Sequence, residues 1–196
     1  MSYEPYSEEM LLGAWRAGDR GAADELLRRC TPLLQSFFRQ RTSQNVDELV
    51  QRTLVACLQA VDQFEGRATF RSFLLGIARN QFLMSLRSNR PSEQPNLLTT
   101  FPEDSPSQLV ASKEELRILV EALNTTPSPF REALRMFYWD ELSVEEIARV
   151  LAISSGTVKS RLARGRAMIR ERIMAAARSR QDIVRKLLDW MSPGNS

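Results

Sequence analysis

Between Leu142 and Ile173 the chain reads LSVEEIARVLAISSGTVKSRLARGRAMIRERI, and this stretch limits the possible fold more tightly than any other. Ser143 and Glu146 have the S-x-x-E spacing of a capping box, which predicts the start of a short helix. Ile147, Ala148 and Leu151 supply its apolar stripe. Ser154 and Ser155 are candidate N-caps for a second, longer helix, with Gly156 and Thr157 in its first turn. Val158, Leu162 and Ile169 fall on one face at helical spacing, while Lys159, Ser160, Arg161, Arg164 and Arg166 lie beside or opposite it. Two helices joined by a turn of small residues, the second basic on one side, read as a helix-turn-helix. That motif lays its second helix in the DNA major groove, with N-terminal residues on base edges and basic residues on phosphates. A generic amphipathic pair with a solvated basic face is the competing reading. The coincidence of capping box, small-residue turn and one-sided charge favours DNA.

The distribution of charge points the same way. The net charge is only +3, a weak argument by itself. From Ser154 to Ser196, however, there are 10 Lys/Arg against 3 Asp/Glu, and from Glu114 to Ile153 there are 4 against 8. Positive charge is concentrated where a phosphate-binding footprint needs it. The chain has no histidine, hence lacks the commonest metal ligand and general base, and two lone cysteines do not make a zinc site. No catalytic residue, metal site or cofactor is expected, and a nuclease is disfavoured. Cys30 and Cys57 lie inside apolar helical patterns and read as buried free thiols of a reducing compartment. The N-terminus, MSYEPYSEEM, is acidic and lacks a signal-peptide core, and no apolar run approaches a membrane span. Cytoplasmic residence without membrane insertion is the expectation.

The remaining pattern is helical. Met10 to Ala17 is a short amphipathic stretch ended by Gly18-Asp19. Ala22 to Cys30 resumes it, and Pro32 is expected to open a new helix over Leu33 to Arg41. In Val46 to Phe64 the expected apolar stripe is Val46, Leu49, Val50, Leu54, Leu58 and Val61. After the break at Phe64-Glu65-Gly66, another helix runs from Phe70 to Leu86. Pro91, Pro95, Pro102 and Pro106 then punctuate a stretch without periodicity, read as a linker. Helical patterns return over Leu109 to Leu123 and Phe130 to Trp139. The expected fold is therefore all-α: two small helical domains, 1–87 and 109–175, joined by a Pro/Ser-rich linker, 88–108, with the helix-turn-helix in the C-terminal one. Residues 176–196 form an amphipathic extension carrying Ile183, Val184, Leu187, Leu188 and Met191.

Three segments, VDELVQRTLVAC (Val46 to Cys57), FEGRATFRSFLLGIARNQFLMSLR (Phe64 to Arg87) and the opening motif preceded by LVEALNTTPSPFREALRMFYWDEL, carry a family likeness. From Met10 to Ile173 the chain resembles the extracytoplasmic-function (ECF) sigma factors, the small two-domain members of the bacterial sigma-70 family. The resemblance implies a promoter-specificity subunit that binds core RNA polymerase and promoter DNA. It assigns docking on the clamp helices of the largest polymerase subunit to Asp47, Leu49, Val50, Gln51 and Thr53. It assigns −10 recognition and melting to Phe64, Arg67, Thr69, Phe70, Arg79 and Asn80. Bases taken out of the stack need aromatic platforms or snug pockets; Phe70 or Phe73 can stack, Asn80 can bond base edges, and Arg71, Arg79 and Arg87 can neutralise phosphates. At helical spacing, however, Phe70, Phe73, Leu74, Ile77 and Leu83 also read as core, and at least two of Phe64, Phe70 and Phe73 are expected there.

For −35 recognition the resemblance implies Glu145, Ser155, Gly156, Thr157, Lys159, Ser160, Arg161 and Arg164, with arginine the better bidentate reader. It also implies an anti-sigma factor as a partner. Three residues depart from the family pattern. Ala152 sits in the turn where relatives commonly have glycine; if that site needs a left-handed backbone, alanine costs stability there. Phe73 stands where tryptophan is common, and the basic run after the −10 helix is thin, LRSNRP. The alternative is a stand-alone helix-turn-helix regulator that binds duplex DNA without polymerase.

Overall fold

The computed structural model describes residues 6–66, 68–88 and 113–176, and these are helical with no strand among them. The helices are α1 (Glu8–Arg16), α2 (Arg20–Arg39), α3 (Val46–Ala60), α4 (Phe70–Ser88), α5 (Lys113–Asn124), α6 (Ser128–Tyr138), α7 (Val144–Leu151) and α8 (Ser155–Ala176), with a 3-10 turn at Val61–Gln63. The chain divides into two compact units; the first holds α1–α4 and the second α5, α6, α8 and most of α7. The linker segment 89–108 and the extension 177–196 lie outside the described residues.

In the first unit α2 is the central element, packed against α1, α3 and α4. Asp19 caps its start, its carboxylate accepting from the Ala22 amide at 3.1 Å. Ala22, Leu26, Cys30, Leu34, Phe37 and Phe38 are buried along its length. That stripe explains why Pro32 does not begin a new helix as expected. Proline removes one hydrogen bond and disfavours a helix interior by about 3 kcal/mol, but Pro32 is exposed, and the apolar face continues past it into Leu34, Phe37 and Phe38. On the outer side Glu25 holds Arg28 at 2.8 Å and Arg29 at 2.6 Å. These hydrogen bonds, first Arg28 and then Arg29, hold its carboxyl at about 2.

The expected stripe of α3 is rotated. Leu49, Val50, Thr53, Cys57 and Val61 face the core, Leu54 is half-buried, and Leu58 is exposed. Small side chains let α3 approach α2 on one side and α4 on the other. The Thr53 hydroxyl donates to the Leu49 carbonyl at 2.7 Å, so its burial leaves no unpaired donor. Cys30 and Cys57 are free and buried, and desolvation pushes both thiols up to about 12, which keeps them protonated and unreactive.

The second unit is organised around α8, which packs on α5 and α6. Val158, Leu162, Ile169 and Ile173 are buried on its inner face, as the spacing predicts. Gly165 lies on that face too. A methyl group there would come within 2.8 Å of Leu134 Cδ1 and 3.3 Å of Phe130 Cβ, so only glycine permits this approach of α6 and α8. Two further ties cross the unit: Arg172 donates to the Thr125 carbonyl at 2.9 Å, and Arg166 to the Tyr138 hydroxyl at 3.4 Å.

Candidate nucleic-acid interface

Local chemistry sets the ends of α7 and α8. The capping box forms: the Ser143 amide and hydroxyl donate to the Glu146 carboxylate at 2.9 and 2.8 Å, and the Glu146 amide donates back to the Ser143 hydroxyl at 3.3 Å. At the other end of α7, Ala152 takes a φ of 53° and the Ile153 amide reaches the Ala148 carbonyl at 3.0 Å, the long closing bond of a left-handed helix stop. The turn therefore needs the conformation that alanine disfavours. Ser154 caps α8, its hydroxyl accepting from the Thr157 amide at 3.1 Å and lying 2.9 Å from the Thr157 hydroxyl. Thr157 is thus partly engaged in holding the helix start.

Beyond this cap the outer face of α8 meets solvent. Ser155, Gly156, Thr157, Lys159, Ser160 and Arg164 are exposed and Arg161 is half-buried; Glu145 is exposed in the first turn of α7. Gly156, Thr157, Ser160, Arg161 and Arg164 line one open groove of about 550 Å³ together with Ser154 and, from α6, Pro129 and Phe130. Ser155, Lys159 and Glu145 lie outside it. No carboxylate lines the groove. Hydroxyls, two guanidiniums and a glycine open to backbone approach make a surface for a polyanion. The sequence reading missed Pro129, Phe130 and Gly165. The only signal for the first two is an aromatic side chain beside two prolines at a helix start, and Gly165 leaves a contact that appears only when α6 is in place.

The first unit treats its candidate residues differently. Phe64 and Phe70 are buried, whereas Phe73 is half-buried. Phe64 and Phe73 have ring centroids 4.9 Å apart, and Phe70 lies 6.2 Å from each of them and from Trp15. Arg16 donates to the Phe64 carbonyl and stands 5.8 Å from the centre of its ring, pinning the segment before α4 to α1. Two of the three phenylalanines, Phe64 and Phe70, are thus buried in packing, as expected. Thr69 is exposed, but its hydroxyl caps α4 by accepting from the Ser72 amide at 3.2 Å. Asn80 is exposed and Arg79 half-buried on the following turns of α4. Arg67 lies outside the described residues.

On α3, Asp47 and Gln51 are exposed one turn apart, followed by Val55 and Leu58, about half exposed at 53% and 50%. Leu49, Val50 and Thr53 are buried behind this face, with exposures of 3%, 5% and 0%.

Comparison with known proteins adds two family matches: "Sigma-70 region 2" over residues 26–91 and "Sigma-70, region 4" over residues 116–169. The chain is 27% identical over 188 residues to the ECF RNA polymerase sigma-E factor of Escherichia coli K12, covering 89% of this chain and 98% of that protein. Identity to the sigma-E factor of Haemophilus influenzae is 24% over 183 residues, covering 87% and 97%. Among solved structures, CnrH, determined with the cytosolic domain of CnrY, matches with a TM-score of 0.63 at 24% identity, covering 86% of this chain and 97% of that one. The sigma factor RpoE of Bartonella quintana, determined with the anti-sigma factor NepR, matches with a TM-score of 0.60 at 23% identity, covering 76% and 95%. These two likenesses establish the fold.

Proposed function

The chain belongs to the ECF group of the sigma-70 family, and from that premise we propose how its two helical units divide the work of an RNA polymerase sigma factor. As a sigma factor it directs core RNA polymerase to specific promoters and initiates transcription. Residues 1–87 are the polymerase-binding and −10 domain, 88–108 the linker, 109–175 the −35 domain and 176–196 a C-terminal amphipathic extension. The carboxylate-free groove along α8 carries this reading: a polyanion-binding surface built on the motif that matches region 4.

Polymerase docks on α3 through Asp47 and Gln51, aided by the exposed Val55 and Leu58 on the same side of the helix. Such a face, small and mixed in polarity, concentrates its binding energy in few residues. Promoter DNA at −35 is read by Ser155, Gly156, Thr157, Lys159, Ser160, Arg161 and Arg164, with Glu145 alongside. At −10 the exposed Asn80 and Thr69, with Arg79 and the preceding Arg67, meet the opened strand, and Phe73 is the least buried of Phe64, Phe70 and Phe73 beside them. Each contact alone is weak. Joined on one linker, the second contact becomes intramolecular, and affinity rises when promoter spacing fits.

The chain performs no covalent step itself; polymerisation belongs to core polymerase, and this places its work in the cytoplasm. An anti-sigma factor is the expected antagonist, because both structural relatives were determined with a partner chain, NepR being named as an anti-sigma factor. Run-off transcription with purified chain, core polymerase and a promoter library tests the proposal. A transcript that requires both the chain and a defined −35/−10 pair is expected. Tight duplex binding by the chain alone, with no promoter-dependent transcript, would overturn it.

A further inference from the structure

The groove along α8 has a wall that the reading helix does not supply. Pro129 and Phe130 come from the first turn of α6 and face Gly156, Thr157, Ser160, Arg161 and Arg164 across it. Phe130 is half-buried: its Cβ is packed against Gly165, while the residue still borders the groove. The dipole favours acidic residues in a first turn, yet the first turn of α6 has none. The next residue, Arg131, does not contribute a cation here in the ordinary solvated way; it is half-buried and donates to the Asn124 carbonyl at 2.7 Å. The groove thus has one apolar wall and one wall of hydroxyls and guanidiniums. Among the described residues no carboxylate pairs with Arg161 or Arg164.

We propose that Pro129 and Phe130 form a second DNA-contacting element, packing against the deoxyribose faces of the strand whose phosphates Arg161 and Arg164 hold. A sugar–phosphate backbone alternates apolar sugar faces with anions, and this groove presents both complements within one concavity. Its charged wall is also continuous with the face of α8 proposed to read −35, so one duplex can occupy both. An acidic peptide would satisfy the guanidiniums too, and is separated from DNA by the test. The inference rests on the reading of α8 as the −35 reader, and it adds a sequence-independent contact that fixes the register of α8 on the duplex.

An apolar sugar contact has a signature that a phosphate contact lacks: its loss releases no counterion. Phe130→Ala should weaken binding of holoenzyme to −35 duplexes by roughly fivefold. The loss should be equal across −35 sequences, with the salt dependence unchanged, and Phe130→Leu should recover most of it. Wild-type affinity in Phe130→Ala, or a loss confined to one −35 sequence, would overturn the proposal. Should Phe130→Ala fail to fold, a photo-crosslinking benzoyl-phenylalanine placed at position 130 of otherwise intact holoenzyme gives an independent answer. A crosslink to the −35 strand supports the contact; a crosslink to polymerase or another protein in place of DNA refutes it. Wild-type holoenzyme serves as the control, because absence of any promoter-dependent transcript there would sink the sigma reading itself, whereas a transcript together with an indifferent Phe130 sinks only this contact.

Discussion

The two helical units handle their functional surfaces in opposite ways. Along α8 of the C-terminal unit the residues proposed to touch DNA and the residues buried in the core are separate sets. Val158, Leu162, Ile169 and Ile173 are buried on one side of α8, and Ser155, Lys159, Ser160 and Arg164 are exposed on the other. In the N-terminal unit the two sets interleave. At the start of α4 the half-buried Phe73, beside the residues proposed to meet the opened strand, packs with the buried Phe64 and Phe70, and Phe70 packs in turn on Trp15. The difference has a physical source. A helix laid in a DNA groove needs only a polar outer stripe, which leaves the inner stripe free for packing. A surface that receives an unstacked base needs a preorganised pocket, and aromatic side chains build one only if their neighbours hold them rigidly.

The largest test of this contrast is Phe70→Ala. With Phe70 only 5% exposed in a four-ring cluster, its truncation should cost about 3–5 kcal/mol of stability in the first unit, read by urea unfolding. If melting activity fell while the unfolding midpoint stayed put, Phe70 would be a base platform and the interleaving would be wrong. Gly165→Val is the corresponding test in the second unit. Leu134 is only 1% exposed and has nowhere to swing, so the added side chain should destabilise the α6–α8 contact by about 1–3 kcal/mol. It should weaken −35 binding as well, since Phe130 moves with it; intact stability would mean that the helices slide apart easily.

Arg164→Ala probes the outer stripe alone. Unfolding should be unchanged, because the side chain is exposed, while −35 affinity falls by about 1–3 kcal/mol if the contact is bidentate to a base. A phosphate contact would instead weaken all sequences uniformly and reduce the salt slope by about 1. A variant that lost stability and binding together would place Arg164 with the packing residues and erase the separation between the two sets.

Where the sequence was readable follows the same division. The caps at Ser143, Glu146 and Ser154 and the inner stripe of α8 depend on neighbours within a few residues, and they form as the spacing predicts. Features that depend on a distant element were not readable. Pro32 continues its helix because Leu34, Phe37 and Phe38 bury beyond it. Thr53 and Cys57 displace Leu54 and Leu58 from the core because α2 and α4 come close on both sides. Gly165 looks like a weak helix residue until Leu134 is seen against it. The tie from Arg16 to the Phe64 carbonyl spans two elements that no local pattern links.

The smallest effect is expected at Ala152, where both kinds of information meet. Its sequence context marks a turn, and its φ of 53° is imposed by α7 ending and α8 beginning within three residues. A left-handed conformation disfavours alanine by about 1–2 kcal/mol. Glycine removes that strain but adds freedom to the unfolded chain, worth about 0.4–1 kcal/mol. Ala152→Gly should therefore stabilise the second unit by a net ~0.5–1 kcal/mol, visible as a higher unfolding midpoint. Affinity for −35 DNA should not change, because Ser154 and Thr157 already fix the start of the reading helix. If the midpoint rose and DNA affinity rose with it, the strained turn would be limiting how α8 is presented, and fold and function in this unit would be coupled after all.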